Sequence, residues 1–202
     1  MAQMQPHEEW DDGELVAACR SGDLGAFEVL VRRHQRVMLN LAGRMLGDYD
    51  EACDVVQEAF VAAHRALGSF RGEARFATWL TTITLNQARN RLAQLASRRR
   101  REAYSLDRPR EGSEEARPPE PPSPAPSALE LMERQALRTQ VERCIGALPP
   151  DFREALVLRD IQDRPYEEIG ALLRVREGTV KSRLFRAREQ VKDCLKRALG
   201  VP

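Results

Sequence analysis

The chain has 202 residues, with 32 Lys+Arg against 31 Asp+Glu, 42% hydrophobic residues and 5% aromatic. Few aromatic and β-branched residues beside abundant Ala, Leu, Arg and Glu disfavour a sandwich or barrel and favour an all-α fold. No apolar run approaches the ~18–20 residues that span a bilayer, and residues 1–10 lack a basic segment followed by an apolar one, so the chain reads as cytoplasmic with no membrane insertion.

In chain order, residues 1–14 carry Glu8, Glu9, Asp11, Asp12 and Glu14 and no base, an acidic tail. Phe27, Leu30, Val31, His34, Val37, Met38, Leu41, Ala42 and Met45 recur at spacings of three and four, which predicts an amphipathic helix that Gly47-Asp48 breaks. A second stripe follows, Ala52, Val55, Val56, Ala59, Phe60, Ala63 and Leu67, with Glu51, Asp54, Gln57, Glu58 and Arg65 outward. Residues 68–73 read as a loop. A third helix is expected from about Phe76 to Arg98, with Trp79, Leu80, Ile83, Ala88, Leu92 and Leu95 inward.

Seven of the twelve prolines fall within residues 109–126. That stretch cannot bury enough surface to fold and predicts an extended linker. Two small helical domains result: residues 1–97 and 128–202, joined by an acidic, proline-rich segment at 98–127. In the second domain, Leu129, Met132, Ala136, Val141, Ile145 and Leu148 form a helix that Pro149-Pro150 ends. Asp151 can cap the next, Pro165 opens a short helix at 166–173, and a longer one runs from about Gly178 to Ala198.

Neither the cysteines nor the histidines suggest a metal or a cofactor. Cys19, Cys53, Cys144 and Cys194 lie far apart without a C-x-x-C pair, so reduced thiols are expected in a cytoplasmic chain. His7, His34 and His64 are scattered, the last two on apolar helical stripes where packing is the expected role. The near-zero net charge hides a pattern. Residues 65–101 hold nine basic residues against one acid, residues 102–127 six acids against three arginines, and residues 174–197 nine bases against three acids. Two basic footprints divided by an acidic spacer suit binding to phosphate backbones.

Residues 166–188 follow the pattern of a helix-turn-helix. Ile169 and Leu173 face the core, Gly170 is small where two helices meet, Val175 plugs the turn, and Val180 and Leu184 pack the second helix. This leaves Lys181, Ser182, Phe185, Arg186 and Arg188 for a major groove, and the Gly178-Thr179 helix start for a phosphate. The Glu167-Glu168-Ile169 run and residues 178–188 resemble region 4 of bacterial sigma factors, which reads the promoter −35 element. Residues 54–60, the 69–72 loop and Phe76-Ala77-Thr78-Trp79-Leu80 resemble region 2, which binds core RNA polymerase and the −10 element. With a linker alone between them, the chain is most similar to the extracytoplasmic-function (ECF) group.

The resemblance implies a non-enzymatic promoter-specificity subunit of RNA polymerase for a stress- or signal-responsive regulon, with no catalytic residues and no cofactor. Asp54, Gln57 and Glu58 would meet the clamp helices of the polymerase β′ subunit, and region 4 the β flap. Phe70 would stack on or wall in an extruded −10 base, Asn86 and Asn90 would contact the −10 strand, and Arg71, Arg89 and Arg91 would hold phosphates. Arg159, Arg176, Gly178, Thr179, Lys181, Ser182, Phe185, Arg186 and Arg188 would meet the −35 duplex. Trp79 reads as core by spacing, with a DNA contact as the alternative. Gly170 stands where the family often has alanine. Thr81 and Thr82 replace aromatics of housekeeping sigma factors, which implies weaker melting and a stricter choice of promoters. An anti-sigma factor, in some cases a membrane-anchored one, is the further partner implied.

Opening ten base pairs costs about 14 kcal/mol at ~1.4 kcal/mol per stacking step, and one captured base returns only ~1–3 kcal/mol. The isolated chain therefore cannot open DNA and has to act on a larger machine. Sites two helical turns apart lie ~70 Å from each other; a flexible 26-residue strap averages ~30 Å, whereas a proline-rich one reaches ~80 Å. A ligand-sensing helix-turn-helix repressor would need a dimerisation face or a pocket, and a nuclease clustered carboxylates or a His/Cys pair; the sequence offers neither signal.

Overall fold

The computed structural model describes residues 7–103 and 128–200, and every regular element among them is helical. The expected linker lies mostly outside the described residues. The elements are α1 (Asp12–Arg20), α2 (Leu24–Leu46), α3 (Tyr49–Ala66), α4 (Phe76–Ala103), α5 (Ala128–Gly146), α6 (Pro150–Leu156), α7 (Tyr166–Leu173) and α8 (Glu177–Leu199). A 3₁₀ turn, Leu67–Ser69, follows α3, and a π turn, Val157–Ile161, continues α6.

Helix α1 corrects the expectation of an acidic tail. Asp11 Oδ1 accepts from the backbone N–H of Gly13 and Glu14 at 2.7 and 2.9 Å, while Glu14 accepts from the Asp11 N–H at 2.8 Å. This reciprocal capping box starts a short helix whose Leu15 and Val16 are buried. Asp23 and Asp48 cap α2 and α3, and Gly47 closes α2 in the left-handed conformation. Helix α4 runs past Arg98 to Ala103, into the segment expected to be linker, because no helix breaker intervenes. Asp151 does not cap α6. Pro149 occupies the cap position and Pro150 the first turn, where its missing N–H costs nothing; Asp151 instead pairs with Arg183 of α8.

Helices α1–α4 form one bundle, and α8 packs against α5, α6 and α7 in a second. The bundles touch: α2 lies on α5, α6 and the π turn, and α4 on α7. Their buried side chains form one continuous core. The seam carries buried polar pins. The Arg153 guanidinium donates to the carbonyl of Met45 in α2 and to those of Gly146 and Leu148 within its own bundle; burial pushes its pKa down. Thr78 donates to Glu168 at 2.6 Å.

Two further expectations change. Cys144 of α5 and Cys194 of α8 form a disulfide, Cα–Cα 5.7 Å, because the two helices pack together, while Cys19 and Cys53 are free. His34 is more than a packed ring: it hydrogen-bonds Asp12 at 2.8 Å, tying α2 to α1.

Candidate nucleic-acid interface

The geometry of the helix-turn-helix begins at Gly170. A Cβ there would lie 2.9 Å from the Val175 carbonyl oxygen, so the turn fits because no side chain stands in its way. Arg174 takes the left-handed conformation that ends α7, at φ 56°. Val180 and Leu184 are buried beneath α8, as the register predicts. Lys181, Ser182, Phe185, Arg186 and Arg188 are all exposed, and Phe185 is 69% exposed, unusual for a phenylalanine without a partner surface. Arg176 precedes the helix, and no side chain caps the α8 N-terminus, so Gly178 and Thr179 stand in an uncapped first turn.

Three of the cations assigned to this face, Lys181, Arg188 and Arg159, already have carboxylate partners. Lys181 pairs with Glu177 at 2.7 Å, and Arg188 holds Asp160 through two hydrogen bonds of 2.6 and 3.0 Å. Glu177 and Asp160 respectively keep these two cations' pKa values up. Arg159 donates to the Arg164 carbonyl at 2.9 Å and pairs with exposed Asp163. Arg159 and Lys181 both lie over the ring of Tyr166, a residue that sequence reasoning passed over as part of α7.

On the first bundle, Phe70 is half-buried rather than a free loop tip. Its ring lies 4.9 Å from that of Trp79 and 6.1 Å from Phe76, and its carbonyl accepts from Arg20. Trp79 thus belongs to an aromatic cluster at the start of α4, half-buried and packed on the core. Arg71 is exposed at the loop, and Asn86 and Asn90 are exposed on α4. Thr81 is fully buried and donates to the Ala77 carbonyl, so it faces the core and not a strand.

Arg89 does not point freely into solvent. Its Nε and Nη2 donate to Glu154 of α6 at 2.6 and 2.8 Å, a bidentate pair across the seam, and its Nη1 donates to Asn86 at 3.2 Å. Glu154 raises the Arg89 pKa, and its own side chain is 4% exposed. Arg91, expected at phosphates, turns to α3: it pairs with Glu51 at 2.5 Å, Glu58 at 2.8 Å and Asp54 at 3.6 Å. Asp54, Gln57 and Glu58 remain exposed along one side of α3. The pairing of Arg89 with Glu154 links residues 65 apart, which no local sequence pattern signals.

Residues 30–99 match the family model of sigma-70 region 2, and residues 138–191 that of sigma-70 region 4. The chain is 40% identical over 184 residues to the RNA polymerase sigma-H factor of Pseudomonas aeruginosa, spanning 91% of this chain and 93% of that protein. This chain is an ECF sigma factor. It is 41% identical to the ECF RNA polymerase sigma-E factor of Escherichia coli, spanning 91% of this chain and 94% of the relative. Among solved structures it is similar to CnrH in complex with the cytosolic domain of CnrY, with a TM-score of 0.60, 29% identity, and coverage of 92% and 97% of the two chains. It is also similar to the sigma factor RpoE in complex with the anti-sigma factor NepR from Bartonella quintana, with a TM-score of 0.59, 25% identity, and coverage of 84% and 96%. Sigma factors are promoter-specificity subunits rather than enzymes, and this one initiates transcription in that role. No helix among the described residues is long and apolar enough to cross a membrane.

Proposed function

We propose that this sigma factor docks on core RNA polymerase in the cytoplasm through Asp54, Gln57 and Glu58 of α3, which meet the β′ clamp helices, while the second bundle meets the β flap. Residues 1–97, with the end of α4 to Ala103, act as the region 2 module and 128–202 as the region 4 module, with 104–127 as the strap. The −35 duplex lies along α8, where Lys181 and Arg186 reach base edges, Ser182 and Phe185 add a hydroxyl and an apolar contact, and Arg159, Arg176, Arg188 and the Gly178-Thr179 helix start hold phosphates. The −10 strand follows α4: Phe70 receives a base after turning out of the aromatic cluster, Asn86 and Asn90 contact bases, and Arg71 and Arg89 hold the backbone.

The observation that carries this reading is the exposed row Lys181, Ser182, Phe185 and Arg186 on a helix whose other side is buried in helix-turn-helix register. Arg89 reaches a phosphate only by leaving Glu154, so the closed arrangement of the two bundles is the unengaged form. Opening them over ~70 Å uses the reach of the strap, and polymerase binding supplies the free energy. An anti-sigma factor holds this chain inactive, as the solved relatives with such partners suggest.

Run-off transcription with core polymerase and a genomic promoter library tests the reading. Lys181→Ala with Arg186→Ala should weaken −35-dependent initiation while leaving co-elution with polymerase intact. Asp54→Ala with Gln57→Ala should do the reverse. A chain that yields no sigma-dependent transcript refutes the proposal.

A further inference from the structure

Tyr166 opens α7 directly after Pro165, which fixes the approach of the chain at φ −66°. Its half-buried ring packs on the core of the second bundle, so its position is set by the fold rather than by solvent. Two cations from different elements converge on this ring. Arg159, from the π turn, places its guanidinium carbon 5.2 Å from the ring centroid. Lys181, from the second turn of α8, places its ammonium 5.6 Å from the same centroid. Arg188, held chiefly by Asp160, also feels the Tyr166 hydroxyl.

Long cationic side chains on a surface otherwise sample many rotamers, and ordering them at a phosphate costs entropy. An aromatic face that attracts both heads holds them before DNA arrives. The carboxylates nearby cannot do this alone: Asp163, the partner of Arg159, is 93% exposed, and Glu177 moves with Lys181 on the same helix. The Asp160–Arg188 pair also joins the π turn to α8, but among the contacts described Tyr166 is the group that meets both Arg159 and Lys181.

We propose that Tyr166 is a positioning residue for −35 recognition, aiming Arg159 and Lys181 at the duplex through its ring. The inference rests on the −35 reading of α8 and adds a residue to it. The two cation–π contacts need only the ring, so phenylalanine should keep them and an aliphatic side chain should not; the hydroxyl's lesser pull on Arg188, which Asp160 chiefly holds, is lost in both.

The test uses holoenzyme reconstituted from core polymerase and the full chain, on a promoter fragment selected by the wild-type holoenzyme. Tyr166→Leu should weaken binding about five- to tenfold, the size expected for two cation–π contacts. It should also flatten the salt dependence of binding by about one phosphate contact. Tyr166→Phe should stay within about twofold of wild type. In an Arg159→Ala/Lys181→Ala background, Tyr166→Leu should add no further loss, whereas a ring that merely supports the fold would cost the same in both backgrounds. An equal loss in both backgrounds, or Tyr166→Phe as poor as Tyr166→Leu, overturns the proposal. If Phe185→Ala with Arg186→Ala weakens binding but Arg159→Ala/Lys181→Ala does not, the role of Tyr166 falls and the −35 reading stands. If neither pair matters, the reading of α8 itself falls.

Discussion

Replacing Glu154 with alanine should loosen the two bundles from each other without unfolding either. The Glu154 side chain is 4% exposed and accepts two hydrogen bonds from Arg89, at 2.6 and 2.8 Å. Deleting one member of a buried pair costs about 3–5 kcal/mol, because the other charge loses its compensation. Arg89 is 37% exposed, however, so water takes over part of the lost bonding. The figure then falls toward the ~1.5–3 kcal/mol of a hydrogen bond to a charged group. At ~1.4 kcal/mol per tenfold, the closed-to-open ratio drops about 10- to 100-fold. Arg153 on the Met45 carbonyl and Thr78 on Glu168 still oppose opening. Small-angle X-ray scattering and energy transfer between dyes on α3 and α8 would read the change as a larger radius and a longer distance. Because the ion pair itself pays desolvation on closing, Arg89→Leu with Glu154→Leu should remain nearer to wild type than Glu154→Ala alone. A Glu154→Ala chain that stays helical by circular dichroism and keeps the wild-type radius and dye distance refutes the idea that this pair holds the molecule shut.

Three other outcomes follow from local structure. The disulfide links residues 50 apart, which in the chain-entropy account destabilises the unfolded second bundle by about 4 kcal/mol; Cys144→Ser with Cys194→Ser should lower its melting temperature by about 10 °C or more, and an unchanged melt with and without reductant would count against the bond. Gly170→Ala gains about 1 kcal/mol of helix propensity, but its Cβ meets the Val175 carbonyl at 2.9 Å, and overpacking costs ~1–3 kcal/mol. The variant should therefore be less stable to urea, and a more stable one contradicts the close approach. The Asp23 carboxyl is held below its ordinary range, first by the Ala26 backbone N–H and then by His7. Its support of α2 is therefore present above the unfolded pKa of about 3.9 and is lost as pH falls through the lower folded value. Carbon-detected NMR should show Asp23 titrating below the ordinary aspartate value, and a normal midpoint would remove the argument.

What the sequence made legible was local. Helix α7 begins and ends where Pro165 and the Ile169/Leu173 register place it, because both signals act within a few residues. The two-bundle, all-helical architecture follows from stripes at helical spacing and a proline-rich divide. The exposure of Lys181, Phe185 and Arg186 follows from burying Val180 and Leu184 opposite them. Helix α1 was hidden because two buried residues make too short a stripe, and its Asp11–Glu14 capping box looks like acidic composition. Arg89 and Glu154 are 65 residues apart, Thr78 and Glu168 are 90, and Cys144 and Cys194 are 50. Periodicity carries no information at such separations, so the seam that covers Arg89 could not be read. Tyr166 was missed for a different reason: its role lies in which cations fold back over it, not in its own spacing.

The near-balance of charge, 32 bases against 31 acids, takes on a meaning once the partners are known. Carboxylates stand at several of the cations proposed to meet DNA: Glu154 at Arg89, Asp160 at Arg188, Glu177 at Lys181. The last two pairs are at the surface, where exchanging a carboxylate for a phosphate costs little because water screens both states. The pair at Arg89 differs, since one partner is buried and leaving it uncompensated costs more than at the surface. On the proposed reading the −35 face is open to DNA in the closed chain, while Arg89 on the −10 face is held by Glu154. A free chain built this way would touch duplex weakly through α8 and keep Arg89 of α4 on Glu154 until a docking partner draws it away. On the proposed reading that ordering ties promoter opening to polymerase, with the Arg89–Glu154 pair, the Arg153 and Thr78 contacts and the shared core all opposing separation beforehand.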